Sequence, residues 1–136
     1  MSEQTPGDVQ PVPIEEAELP HLADDACVVR GGQLGFAAYQ VGARVQLEWE
    51  GRLGVSVVSD NGLTKLELAF KGQLPHPVVR VTTVGALRSL GYDVVPTRVN
   101  RDQGHAVILL PGEPSYEDWS RLISAFDQPE PNPVKA

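Results

Sequence analysis

Cysteine is nearly absent from the chain, with Cys27 the only one among 136 residues. A single thiol excludes an intramolecular disulfide and any cysteine-based zinc site. Its apolar setting, Ala26-Cys27-Val28-Val29, reads as a small buried thiol rather than a nucleophile. Lys and Arg are missing from the first 25 positions, where Glu3, Asp8, Glu15, Glu16, Glu18, Asp24 and Asp25 account for the whole net charge of −7. The remainder balances 11 acids against 11 bases, so it lacks the broad basic face that duplex DNA requires. Aromatic residues are scarce, at 6%, so the core should rest on Val and Leu, a mix that leans toward strands. No apolar run approaches the ~20 residues of a membrane span, and the N-terminus lacks the regions of a signal peptide. The expected location is therefore cytoplasmic, with no membrane partner.

What is present suits one hydrophobic core. Residues 1–20 combine Pro6, Pro11, Pro13 and Pro20 with acids and polar groups, and are expected to be a disordered acidic tail. Residues 21–128 are expected to form a small α+β domain, with a mixed or antiparallel sheet, short helices and a C-terminal amphipathic helix. Residues 129–136 form a Pro-rich tail in which Pro129, Pro131 and Pro133 forbid a regular element, although it can lie extended along the domain.

Within the domain, 26–30 reads as a strand stopped by Gly31-Gly32. Over 36–50, Tyr39, Val41, Ala43, Val45, Leu47 and Trp49 alternate with Gln40, Gly42, Arg44, Gln46, Glu48 and Glu50, a strand pattern. Leu34, Ala38, Val41, Val45 and Trp49 also fit a helical stripe, so both readings stand, the strand preferred and paired as a hairpin with 53–58. Asp60-Asn61-Gly62 is a turn, after which Leu63, Leu66 and Phe70 mark a short helix ended by Gly72. Val78 to Thr82 is a strand, and Thr83 caps a helix running to Leu90. Tyr92 to Val95 and His105 to Leu110 are strands, the second apolar enough to be central. Ser115 caps a helix whose buried face is Trp119, Leu122, Ile123 and Phe126.

Phosphate loops, dinucleotide fingerprints, nucleophile elbows and paired-histidine metal spacing are all missing, and no cofactor or metal is called for. His105 opens a strand after a polar loop holding Arg98, Asn100 and Arg101, the most reactive-looking combination in the chain. An imidazole exchanges protons near neutral pH, and guanidinium groups hold phosphate and stabilise developing negative charge. His76 is stiffened between Pro75 and Pro77. Arg30 ends an apolar strand before two glycines, where a backbone can approach a ligand, whereas Arg88 on a short helix reads as exposed or ion-paired. Ser56 and Ser59 have no base identifiable from sequence, which weighs against a serine nucleophile.

The series Val29-Arg30-Gly31-Gly32, Val55-Ser56-Val57-Val58-Ser59, Pro75-His76, Val81-Thr82-Thr83-Val84-Gly85, Arg88, His105-Ala106 and Pro131-Asn132-Pro133 resembles a family of small bacterial proteins and toxin-associated C-terminal domains. The resemblance spans most of 28–133. It implies a candidate set of Arg30, His76, Thr82, Thr83, Arg88 and His105, in the setting of secreted-toxin or toxin–antitoxin systems.

Two functions are weighed. In the preferred one the chain is a non-catalytic binding or immunity-like protein whose acidic tail or strand edge meets a protein partner. In the other it is a metal-independent, toxin-like enzyme acting on RNA or a nucleotide phosphate. There, His105 and His76 exchange protons, Arg30, Arg101 and Arg88 hold phosphate, and Thr82 or Thr83 positions it. An ADP-ribosyl-transferring variant would use Arg30 on the dinucleotide phosphates, but no catalytic Glu is identifiable in a late strand.

Overall fold

The computed structural model describes residues 19–135. The tail expected over 1–20 therefore falls, but for its last two residues, outside the described residues. The described elements are β1 (Cys27–Gly31), α1 (Phe36–Glu50), β2 (Gly54–Asp60), α2 (Lys65–Lys71), β3 (Val78–Thr83), α3 (Val84–Ser89), β4 (Val94–Pro96), β5 (His105–Leu109), α4 (Tyr116–Ile123) and β6 (Glu130–Pro131). A 3₁₀ turn, Arg101–Gln103, precedes β5. The strands form one antiparallel sheet in the order β4-β5-β2-β1-β3-β6, the α+β architecture expected. β5 lies inside the sheet between β4 and β2, as its apolar run requires. No helix among the described residues is long and apolar enough to cross a membrane.

Alternation along the strands feeds two apolar layers. Val28, Val55, Val57, Ala106 and Ile108 pack on one face with Leu87, Leu122 and Phe126. Val29, Val58 and Val79 pack on the other beneath Leu68 of α2. Thr64 and Glu67 close a capping box at the start of α2, and Ser115 accepts from the Asp118 amide at 3.1 Å to start α4. In α2 the buried residues are Leu68 and Ala69, while Leu66 and Phe70, which mark the helix in the sequence, face solvent.

The preferred strand over 36–50 is corrected: this segment is α1, ended by a left-handed Gly51 whose amide bonds to the Leu47 carbonyl. Tyr39, Ala43 and Gln46 face the core, and Val41 and Val45 point outward at 64% and 44% exposure. Positions i and i+4 share a face in a strand as well as in a helix, so Tyr39 and Ala43 satisfied both periods at once. The alternative stripe also misplaced the face, since Ala38, Val41 and Val45 are exposed. The hairpin with 53–58 falls with it, because β2 pairs with β1 and β5 instead.

The expectation that the C-terminal prolines forbid a regular element is likewise corrected. Glu130 and Pro131 pair with Val79 and Val78 as the edge strand β6, where a proline costs no ladder bond if its nitrogen faces outward. The neighbouring Asn132 is completely buried, and its side-chain amide donates to the carbonyls of Leu74 and His76 at 3.0 and 2.8 Å. Asn132→Ala would strand both carbonyls, so it is expected to cost about 2 kcal/mol, read as a lower midpoint in denaturant unfolding. An unchanged midpoint would show that the 74–77 loop holds itself.

Candidate active site

The register of β5 on β2 creates the site. His105 pairs with Val58, and Ser56, two residues back along β2, pairs with Val107. His105 and Ser56 are thus diagonal neighbours on one face of the sheet, a spacing that long side chains bridge. The Ser56 hydroxyl lies 2.6 Å from His105 Nε2. On the other side of the ring, Thr97 follows β4, with its amide bonded to the His105 carbonyl, and its hydroxyl lies 2.6 Å from His105 Nδ1. Three hydroxyl and imidazole groups therefore run in a line across β2, β5 and the end of β4.

Hydrogen-bond direction follows from the proton count. The Thr97 hydroxyl carries one proton and stands 2.7 Å from the Val99 carbonyl and 3.3 Å from the His105 carbonyl; with that proton on Val99, it acts towards His105 as an acceptor. Nδ1 then carries the imidazole proton, and Nε2 presents a lone pair to the Ser56 O–H. This is the arrangement that lets a histidine take a proton from a serine.

Over this face lies a pocket of about 230 Å³, where β1 and β2 part beyond the Val29–Val58 pair. Ser56, His105, Arg30 and His76 line it, with Asn100 and Gln103 of the loop before β5. No carboxylate is among its lining residues. Arg30 Nη1 donates across the gap to the Ser56 carbonyl at 2.8 Å, and its Nε is buried with no partner among the described residues. Burial pushes the Arg30 guanidinium below its ordinary value. The ring of His76 packs so closely on Gly31 that a Cβ there would overlap it, which is a concrete use for one of the two glycines.

Of the residues singled out in the sequence, Arg30, His76 and His105 meet in this pocket. The others do not. Arg101 turns back onto β2, donating to the Ser59 carbonyl at 2.8 Å and lying 3.6 Å from Asp60, with only 13% of its side chain exposed. Arg88 is held by Asp24, Asp93 and the Leu22 carbonyl beside a different depression that includes His21. Thr82 is buried and donates to the Ala125 carbonyl, and Thr83 caps α3. Ser56, set aside in the sequence for want of a base, and Thr97, not considered there, join the site. Counting outward from the β4–β5 hairpin was the one signal able to place Thr97 opposite His105. The Cys27 thiol lies outside the site, and burial pushes its pKa up, away from a reactive thiolate. Among the described residues no three His, Cys, Asp or Glu side chains are grouped to share a metal ion.

Comparison of the chain with protein-family models, with curated proteins and with solved structures finds no match.

Proposed function

We propose that the chain is a metal-independent enzyme acting on a phosphate-bearing substrate, a nucleotide or the end of an RNA, with His105 as its proton carrier. The observation that carries this reading is the convergence of Arg30, His76, His105 and Ser56, far apart in sequence, on one pocket without a carboxylate. Polar groups with no opposing acid favour an anion, and a histidine already hydrogen-bonded to a hydroxyl supplies acid–base chemistry beside it. At about 230 Å³ the pocket is smaller than the roughly 300 Å³ at which drug-sized sites begin. It suits a phosphoryl group and its sugar, and does not enclose the dinucleotide that ADP-ribosyl transfer requires.

Titration with inorganic phosphate and a nucleoside monophosphate, followed by the ring resonances of His76 and His105, tests the reading. Both rings should shift on binding, since His76 and His105 line the pocket. Titrations that leave both rings unmoved would remove the phosphate assignment.

A second observation favours a protein partner. Phe70 is 73% exposed and Leu66 52%, and Phe70 shares an apolar depression with Leu74, Pro75 and Val134. Large apolar groups left together in solvent are a common mark of a protein interface.

A further inference from the structure

We infer that Ser56 is a covalent nucleophile, activated by His105 and kept in the reactive hydrogen-bond direction by Thr97, and that it takes the phosphoryl group from the substrate. The inference rests on the phosphate-directed reading and adds to it the attacking atom and an intermediate. Its support is geometric: Ser56 lines the pocket, its Oγ sits 2.6 Å from His105 Nε2, and the other ring nitrogen lies 2.6 Å from the Thr97 hydroxyl, which also reaches the Val99 carbonyl. If Thr97 donated to Nδ1 instead, Nε2 would carry the proton and Ser56 would have no base. Donation of the Thr97 proton to the Val99 carbonyl, the shorter of its two carbonyl contacts, favours the opposite tautomer.

In the first step a lone pair of Ser56 Oγ forms the Oγ–P bond while its proton moves to His105 Nε2. The bond from phosphorus to the leaving oxygen breaks, its electron pair stays on that oxygen, and His105 returns the proton there. In the second step water gives a proton to His105 and forms the new O–P bond, the Oγ–P bond breaks, and Ser56 recovers its proton as phosphate leaves. No carboxylate among the described residues lines the pocket to oppose the phosphoryl oxygens in either step. Thr97 is a positioning residue, touching His105 and not the substrate. Being neutral, it orients the ring without stabilising the imidazolium as a carboxylate would, so the serine should be less reactive than in a carboxylate-supported triad.

The test needs no knowledge of the natural substrate. A fluorophosphonate reports an activated serine directly: the Oγ–P bond forms, the P–F bond breaks, and fluoride departs with the electron pair. Intact-mass analysis of the full chain should show a single adduct, and peptide mapping should place it on Ser56. Ser56→Ala should abolish the adduct, and His105→Gln should slow labelling by at least about 100-fold. Thr97→Val should slow it substantially, while Thr97→Ser, which restores a hydroxyl, should recover most of the rate, a pattern that loss of folding would not produce. An adduct on another serine, or no adduct on a chain with an unaltered thermal midpoint, overturns the inference. Phosphate titration of the same samples separates the two readings, because a chain that binds phosphate without labelling keeps the pocket and loses the nucleophile.

Discussion

His105→Ala is expected to reduce turnover of a phosphate ester by roughly 10²–10⁴-fold, the usual contribution of a positioned proton carrier. The fold should tolerate the change, because the ring is half-buried at a strand end and its neighbours Ala106, Val107 and Ile108 carry the packing. Two hydroxyls lose a partner, but Thr97 retains the Val99 carbonyl. The loss should therefore appear in kcat with little change in thermal midpoint. The same variant, set beside Phe70→Ser, separates the two functional readings. Under the enzyme reading His105→Ala loses turnover and Phe70→Ser keeps it. Under the partner-binding reading Phe70→Ser loses partner binding and His105→Ala keeps it, since Phe70 stands on the exposed apolar patch and His105 does not.

Trp119→Ala is expected to cost about 3 kcal/mol, a large share of the stability of a small domain. The indole sits in an aromatic group with Phe36 and Tyr116, at ring separations of 6.0 and 5.3 Å, and fastens α4 against the start of α1. Its N–H also donates to the Leu34 carbonyl at 2.9 Å. Leu34 is one of the few non-glycine residues with a left-handed backbone, at φ 54°, so Trp119 secures a turn that its own residue type disfavours. Loss of the indole removes both packing and this anchor. Glu117→Ala, on the exposed side of the same helix, should change the midpoint in denaturant by almost nothing. Equal effects from the two substitutions would mean that the face of α4 is misassigned.

Much of the fold is visible in runs of neighbouring residues. Thr64, Thr83 and Ser115 start helices where their side chains suggest, because a cap needs only an amide two or three positions away. Val78 to Thr82 and the apolar run from His105 are strands for equally local reasons. Over 36–50 local pattern fails, since its apolar positions serve two periods and the choice depends on which residues the sheet leaves room to bury. Asn132 shows the same limit: three prolines around it mark an extended segment, but only the approach of the 74–77 loop turns that segment into an edge strand with a buried clamp.

At the candidate site, the residue types with chemistry to offer were legible one at a time, and Arg30, His76 and His105 stood out by their positions at strand ends and in a proline-stiffened loop. Their meeting was not legible, nor was the distinction between them and Arg88 or Arg101, which the folded chain spends on ion pairs and backbone carbonyls. The sequence by itself determined where the chain can be helical or extended and which side chains can carry a proton or an anion. Tertiary structure alone decided that Ser56, His105 and Thr97 form a line. Their contacts depend on the register of β2, β5 and β4, and a shift of one residue in any pairing turns a side chain to the opposite face of the sheet.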